Sequence, residues 1–208
     1  MNNKVSIINY GMGNLRSVEN AIKRLNFTVD IISTPNDLDN SNKIILPGVG
    51  SFKKAMKLLK DSGWVDRLHF NVIEKKKDIL GICLGMQLFG TQSEEFGLTE
   101  GLNFIEGNIK SLSNIGCKKK LPQIGWNSIT ISKDHHLLEG IPTATDFYFV
   151  NSFVFVAKDK SYEVASSNYE IDFTSVICKE NVYGTQFHPE KSSKAGRKLL
   201  MNFLNAKN

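Results

Sequence analysis

The sequence predicts an α/β fold, in which helices flank a central, mostly parallel β-sheet. In the first 90 residues, short apolar runs alternate with segments of helical periodicity. The runs are rich in Ile, Val and Leu without polar alternation, as expected of strands covered on both faces. After about Gly101, short strands follow one another with tight connections, which predicts a smaller antiparallel sheet.

In the first half, apolar runs that stop at glycine or proline predict the strands, and apolar residues spaced three or four apart predict the helices. Leu15, Val18 and Ile22, for example, lie on one face of a helix. The predicted strands are residues 5–8, 28–32, 43–46 and 78–82, and the predicted helices are residues 15–25, 52–59, 64–77 and 84–89.

In the second half, β-branched and aromatic runs separated by turns predict strands at residues 127–132, 146–156, 162–166, 174–178 and 182–186. A helix over residues 194–204 follows and presents Leu199, Leu200 and Phe203 on one face. No linker, repeat or low-complexity tract divides the sequence, so we expect a single domain over residues 1–208.

Composition limits the classes of function. The 208 residues carry a net charge of +5, much of it in lysine runs such as residues 75–77 and 118–120. No aromatic residues interleave with these runs, which favours solvated surface over a nucleic-acid site. Cys83, Cys117 and Cys178 fit neither a disulfide framework nor a structural zinc site and indicate the cytoplasm. No apolar run suits a signal peptide or a membrane span, so we expect no membrane partner.

Cys83 stands in the pattern Gly81-x-Cys83-x-Gly85, at the end of a predicted strand. This is the pattern of a nucleophile elbow, with cysteine in place of serine. Small neighbours allow the sharp strand-to-helix turn, and the dipole and free N–H groups of the next helix favour a thiolate. A buried structural cysteine has the same appearance, so the elbow alone leaves both interpretations open.

His188 and Glu190 supply the groups that such a nucleophile needs. In an extended chain, positions i and i+2 point the same way, so Glu190 can lie beside His188 and hold its imidazole in one tautomer. The pair follows an apolar strand, at the edge where open α/β sheets carry their sites. Together the motifs predict a cysteine-nucleophile enzyme with Cys83, His188 and Glu190 as catalytic residues.

Gly48, Val49 and Gly50 follow another buried strand and expose backbone N–H groups without side-chain obstruction. They could donate hydrogen bonds to a developing oxyanion, although a plain turn has the same pattern. Residues 11–13 begin like a dinucleotide-binding loop, but Arg16 stands where a third glycine belongs. We therefore expect no nucleotide cofactor.

In combination, these motifs resemble those of class I (triad) glutamine amidotransferases and, more narrowly, of the glutaminase subunits of imidazole glycerol phosphate synthase. The resemblance runs almost from end to end. It is carried by residues 9–15, 46–50, 81–88, 101–107, 122–127, 148–150 and 186–192. It implies the flavodoxin-like fold of that family, with a mixed central sheet.

The resemblance implies hydrolysis of L-glutamine to glutamate and ammonia without metal or cofactor. Cys83 attacks the side-chain amide, His188 moves the protons, and Glu190 orients His188. The backbone N–H of Leu84 joins residues 48–50 at the oxyanion. The positions that match glutamine-binding residues of the family are Gln87, Glu95 and Ser152.

The resemblance also implies a heterodimer with a (βα)8-barrel cyclase. The cyclase receives the ammonia and converts a phosphoribulosyl formimino nucleotide into imidazole glycerol phosphate and an aminoimidazole carboxamide ribotide, in histidine biosynthesis. The positions that match the interface are Asn14, Trp126, Tyr148 and Lys191. We expect little activity in the isolated chain, and activation by the partner through a peptide flip in residues 47–50.

Asn151 and Phe153 depart from the family pattern, which has histidine and tyrosine at these positions. Asn151 lacks a titratable ring and Phe153 lacks a hydroxyl, but neither belongs to the predicted triad. Hydrolysis should survive, while coupling to the partner could differ. A paralogous glutaminase that supplies ammonia for amidated surface-polysaccharide sugars is therefore an alternative. A non-catalytic subunit on the same fold and an unrelated cysteine hydrolase are two more.

Overall fold

Fourteen strands form three sheets in the computed structural model, which describes residues 4–206. The predicted domain over residues 1–208 thus includes residues 1–3 and 207–208, which lie outside the described residues. The strands are β1 (Lys4–Ile8), β2 (Thr28–Ile32), β3 (Lys43–Gly48), β4 (Asp78–Cys83), β5 (Gln92–Ser93), β6 (Thr99–Glu100), β7 (Gly107–Ser111), β8 (Gln123–Ser128), β9 (Thr130–Ile131), β10 (Asp146–Asn151), β11 (Phe153–Ala157), β12 (Glu163–Tyr169), β13 (Ile171–Lys179) and β14 (Val182–Thr185).

The central sheet has the order β2-β1-β3-β4-β14-β13-β12-β9. The first five strands run parallel, and the last three continue the sheet antiparallel. This is the order of a flavodoxin-like, doubly wound sheet with an antiparallel extension. Because β4 and β14 are neighbours, the residues that follow these two strands meet at one edge of the sheet. The predicted α/β fold with a mixed central sheet is confirmed.

Within residues 4–206, five α-helices accompany the strands: α1 (Leu15–Lys23), α2 (Phe52–Asp61), α3 (Trp64–Leu68), α4 (Leu84–Gln87) and α5 (Ser193–Asn205). The predicted helix over residues 64–77 is present as far as Glu74, because a π-helix continues α3 at His69–Glu74. There the Asn71 side chain donates a hydrogen bond to the Arg67 carbonyl, 3.0 Å away and four residues earlier. It therefore competes with the α-helical N–H for that acceptor.

Both faces of the central sheet are covered by hydrophobic clusters. Alternate residues of β3 point to opposite faces, so Ile45 packs in one cluster with Phe203 of α5, and Ile44 packs in the other with Leu59 of α2. This double burial explains why the parallel strands read as continuous apolar runs. Within residues 4–206, no helix has the length and apolar character needed to cross a lipid bilayer.

Two smaller sheets are present where we predicted a single smaller antiparallel sheet. One pairs β10 with β8, and the other has the order β11-β7-β5-β6. The predicted strand over residues 146–156 is therefore wrong as a single element, because it breaks at Ser152 into β10 and β11, which belong to different sheets. The break brings Ser152 next to the predicted site.

Candidate active site

The cysteine of the predicted elbow lies at the junction of β4 and α4. Cys83 has φ +54° and ψ −110°, a strained conformation for a non-glycine residue. A methyl group added to Gly85 would lie 1.8 Å from the Leu46 carbonyl oxygen, and one added to Gly81 would lie 2.6 Å from the backbone nitrogen of Met86. The two glycines thus let α4 start directly against the strand ends. The sharp strand-to-helix turn predicted from the sequence is present.

His188 follows β14, the neighbour of β4, and so lies beside the elbow. Its Nδ1 lies 2.9 Å from Glu190 Oε1, and both side chains are buried. The predicted extended backbone is wrong here, because Pro189–Lys191 forms a 3-10 turn. The turn is anchored at both ends, since His188 N–H donates to the Tyr148 carbonyl and the Ser192 hydroxyl donates to the His188 carbonyl.

Two opposing effects set the charge of His188. Burial lowers the pKa of the imidazole, but its hydrogen bonds to Cys83 and Glu190, and the negative charges of these groups, raise the pKa to about 10 overall. The protonated ring is therefore favoured beside Cys83 and Glu190. An imidazolium beside a cysteine stabilises the thiolate, which is the nucleophilic form.

Gln186 contacts the thiol and was missed as a site residue by the sequence analysis. Its Nε2 lies 3.8 Å from Cys83 Sγ, and its Oε1 accepts a hydrogen bond from Gln87 Nε2 at 3.1 Å. The side chain is completely buried. The sequence offered one signal, an amide side chain at the end of an apolar strand and two positions before His188. A polar side chain buried at such a position needs a hydrogen-bond partner, which points to a nearby site.

A cavity of about 460 Å³ opens beside the elbow. This volume is within the range of small-molecule sites. The predicted site residues that line it are Val49, Gly50, Cys83, Leu84, Gln87, Glu95, Ser152 and His188. Glu190 lies behind the imidazole, and Gly48 is buried outside the lining. The structure thus gathers residues from five separate segments around one space.

The three predicted glutamine-binding residues already have polar contacts of their own. Gln87 Nε2 donates to a main-chain carbonyl of β11 at 2.9 Å. Glu95 Oε2 accepts the N–H of Phe52, the first residue of α2, at 2.6 Å. The carbonyl of Ser152 accepts the N–H of Leu112 at 2.9 Å, so its carbonyl is turned away from a ligand. These contacts fix the three groups in place at the cavity wall.

The glycine-rich segment (residues 47–50) lies across from the elbow. Gly48 pairs with Cys83 between β3 and β4. Val49 is 44% exposed, and Gly50 has φ +101°, which favours glycine. Leu84 is the first residue of α4, so its N–H has no acceptor within the helix. The segment and the helix start therefore bring backbone donors to the neighbourhood of the thiol.

Three of the four predicted interface residues form one partly exposed cluster. The ring centroids of Trp126 and Tyr148 are 6.1 Å apart, and the Lys191 ammonium lies 5.6 Å from the Tyr148 ring centroid. Trp126 is 54% exposed. Asn14 instead caps α1, where its side chain accepts the N–H of Ser17 at 3.3 Å. Helix α1 packs against the turn that carries Lys191, so all four residues lie at the same end of the molecule.

Asn151 and Phe153, at which we expect a departure from the family pattern, both line the cavity. Asn151 Nδ2 lies 3.4 Å from the Phe153 carbonyl, and within residues 4–206 its Oδ1 has no hydrogen-bond partner. The two residues therefore form part of the cavity wall and take no part in the contact between His188 and Glu190.

Comparison with known proteins identifies the family of the chain. A family model described as "Glutamine amidotransferase class-I" matches residues 6–206. The chain is 45% identical over 199 residues to "Imidazole glycerol phosphate synthase subunit HisH" of Caldanaerobacter subterraneus subsp. tengcongensis, covering 96% of each chain. It is 44% identical over 200 residues to subunit HisH 1 of Campylobacter jejuni (strain RM1221), covering 96% of this chain and 98% of that one.

Solved structures support the fold. A crystal structure described as that of a glutamine amidotransferase superposes with a TM-score of 0.76 at 19% identity and covers 96% of each chain. The structure of PurLQS from Thermotoga maritima superposes with a TM-score of 0.75 at 18% identity and covers 99% of each chain. At these identities the likeness concerns the fold alone.

Proposed function

Because the chain belongs to the class I glutamine amidotransferases and, within them, to the HisH glutaminase subunits of imidazole glycerol phosphate synthase, we propose that Cys83, His188 and Glu190 hydrolyse L-glutamine. One observation carries the assignment of these residues. A buried carboxylate lies 2.9 Å from Nδ1 of an imidazole that shares one cavity with a cysteine at a strained elbow, and both groups raise the pKa of that imidazole. That arrangement suits a nucleophile, an acid–base and an orienting group.

The first half-reaction releases ammonia. The Cys83 thiolate attacks the side-chain carbonyl carbon of glutamine, and the carbonyl oxygen becomes an oxyanion. The imidazolium of His188 then protonates the departing amide nitrogen, so ammonia leaves and a γ-glutamyl thioester remains on Cys83. The raised pKa of His188 keeps this proton available at neutral pH.

The second half-reaction regenerates the enzyme. Neutral His188 takes a proton from water as the water oxygen attacks the thioester. Collapse of the second oxyanion expels the thiolate and releases glutamate, and the thiolate again faces an imidazolium. Glu190, which accepts a hydrogen bond from Nδ1, holds the ring so that Nε2 faces the thiol in both steps.

Glutamine binds in the cavity with its amide at the elbow. Gln87 and Glu95 contact its α-amino group through oxygen atoms, and the backbone N–H of Ser152 contacts its carboxylate, because the Ser152 carbonyl is already engaged. The N–H of Leu84 and a backbone N–H from residues 47–50 bind the oxyanion. A peptide flip in that segment completes the oxyanion hole.

The ammonia passes to a (βα)8-barrel cyclase bound over the end of the molecule that carries Asn14, Trp126, Tyr148 and Lys191. Trp126 is exposed and contacts Tyr148, and the Lys191 ammonium lies over the Tyr148 ring. Aromatic side chains of this kind are enriched at protein–protein interfaces. The cyclase uses the ammonia to make imidazole glycerol phosphate in histidine biosynthesis. This enzyme acts in the cytoplasm.

The test combines turnover with labelling. Wild-type chain and Cys83→Ser are mixed with glutamine, with and without the barrel subunit, and glutamate is quantified. We expect partner-stimulated hydrolysis by the wild type and none by C83S. A glutamine-analogue electrophile should modify Cys83 and spare Cys178, a free and largely buried cysteine that serves as internal control. Absence of hydrolysis by the wild-type complex would end the proposal.

Asn151 and Phe153 favour a different acceptor for the ammonia, because both line the cavity at positions where we expect histidine and tyrosine in the family. The same glutaminase would then supply ammonia for an amidated surface-polysaccharide sugar. Turnover of the ribulosyl nucleotide by the chain with an active barrel subunit excludes this alternative. Glutamine hydrolysis without nucleotide turnover supports it.

A further inference from the structure

Tyr10 carries a buried hydroxyl that has no hydrogen-bond partner within the part of the chain that the structure describes. The residue is only 5% exposed. Burial and the negative charge of Cys83 raise the pKa of the hydroxyl, so it is neutral and able to donate. An unpaired buried hydroxyl is destabilising, and phenylalanine in its place would avoid that cost.

The hydroxyl lies against the glycine-rich segment. A methyl group added to Gly48 would come within 2.8 Å of Tyr10 Oη. The same point lies 2.9 Å from Leu84 Cβ and 3.0 Å from the backbone nitrogen of Gly85. Gly48 therefore leaves the space in which the hydroxyl, the segment and the first turn of α4 meet.

Strand order puts Tyr10 and Cys83 on opposite sides of this segment. Strand β3 lies between β1 and β4. On the β4 side, Gly48 pairs with Cys83. On the β1 side, pairing with β3 ends at Ile7, which lies opposite Ile45, and Tyr10 follows the end of β1. Tyr10 packs in the hydrophobic cluster on one face of the sheet and Cys83 packs in the cluster on the other face, so the peptide group after Gly48 lies between the phenol and the nucleophile.

The N–H and C=O of a trans peptide point in opposite directions. When the peptide between Gly48 and Val49 turns its N–H toward the thiol, its carbonyl oxygen, which belongs to Gly48, turns toward Tyr10. We propose that Tyr10 is a positioning residue that donates a hydrogen bond to this carbonyl and so holds the Val49 N–H in the oxyanion hole. The inference rests on the proposed function, because the oxyanion forms only when an amide is attacked.

The free hydroxyl identifies the state that the structure describes. Since Tyr10 Oη has no partner within residues 4–206, the Gly48 carbonyl does not accept a hydrogen bond from it in this state. In the turned peptide, the Gly48 carbonyl would accept a hydrogen bond from Tyr10 while the Val49 N–H donates one to the oxyanion. The substrate and the phenol therefore both favour the turned peptide. Glycine at position 50, with φ +101°, allows the neighbouring backbone to adjust to the turn.

The test is Tyr10→Phe, which removes the hydroxyl and keeps the ring in the core. Wild type and variant are assayed with the barrel cyclase subunit over a range of glutamine concentrations, and both are melted. We expect kcat to fall roughly three- to tenfold, the effect of one neutral hydrogen bond. KM should change little, and the melting temperature should equal or exceed that of the wild type, because the resting state loses only an unpaired group.

Tyr183→Phe is the matched control, since Tyr183 is a buried tyrosine whose ring contacts His136 and Phe203 away from the cavity. Its kcat should equal that of the wild type. A structure with Cys83 acylated should place Tyr10 Oη within hydrogen-bond distance of the Gly48 oxygen. An unchanged kcat in Y10F, a rise in KM alone, or a parallel fall in kcat and melting temperature overturns the role of Tyr10. A wild-type complex without turnover overturns the proposed function and this role with it.

Discussion

Replacing Glu190 by Gln tests the contact that orients the imidazole. The carboxylate lies 2.9 Å from His188 Nδ1, and both side chains are buried. The substitution keeps the size of the side chain and a hydrogen-bonding group, but it removes the negative charge. We expect kcat/KM for glutamine to fall by about 10²- to 10³-fold while the fold is retained.

The magnitude follows from the charges. Two unit charges about 4 Å apart attract each other by about 4 kcal/mol at an effective dielectric constant of about 20. Complete loss of that attraction corresponds to about 10³-fold in rate, since each 1.36 kcal/mol is about tenfold. The glutamine side chain retains a neutral hydrogen bond worth about 1 kcal/mol, which reduces the loss toward 10²-fold. The pKa of His188, about 10 in the wild type, should fall as well, because one of the two groups that favour the imidazolium is gone.

The assay is steady-state glutaminase activity with the partner subunit, combined with an NMR titration of the His188 ring. Glu163→Gln is the control, because the Glu163 carboxylate accepts a hydrogen bond from Thr174 at 2.6 Å and does not line the cavity. A kcat/KM for E190Q within about twofold of the wild type, with the His188 pKa unchanged, would refute the orienting role.

Three further predictions concern other parts of the site. Cys83→Ser should abolish hydrolysis and lower the pKa of His188 from about 10, as measured by NMR. The folded pKa of about 10 lies above the unfolded value of about 6.5, so protonation of His188 stabilises the fold fully below pH 6.5. This stabilisation is lost as the pH rises through 10. Between pH 6.5 and 10, the free energy of unfolding should therefore fall more steeply in the wild type than in C83S. Gly85→Ala should cost about 3 kcal/mol or more in urea unfolding, because its Cβ would lie 1.8 Å from a carbonyl oxygen. Gly97→Ala is the comparison, because an added Cβ would meet no atom within 4 Å and only the positive φ is unfavourable. It should cost about 1–2 kcal/mol. Trp126→Ala should weaken partner binding by about tenfold or more in calorimetry, with an unchanged melting temperature.

Local signals were sufficient for the parallel half of the fold. Strand β2 spans the predicted residues 28–32, and β4 extends the predicted strand 78–82 by one residue. A strand buried on both faces has a continuous apolar run of its own, and an amphipathic helix has its own period, so neighbours along the chain are enough to identify both.

The antiparallel half depended on distant contacts. Strands β5 and β6 have two residues each, too few for any periodicity, and β7 is short and largely polar. The apolar run of residues 147–156 is interrupted only by Asn151 and Ser152, which is why it was predicted as one strand, although β10 and β11 pair with different strands. Two polar residues within an apolar run do not by themselves show that the chain passes from one sheet to another.

The sequence by itself determined which chemical groups the protein brings to its site, because the elbow around Cys83 and the pair His188 and Glu190 are short motifs whose function is local. Only the tertiary structure decided that these motifs adjoin, with Gln186 against the thiol and Tyr10 behind the glycine-rich segment. Those contacts follow from the order β1-β3-β4-β14. Strand order is set by the packing of segments far apart in the chain, which no local pattern of residues records.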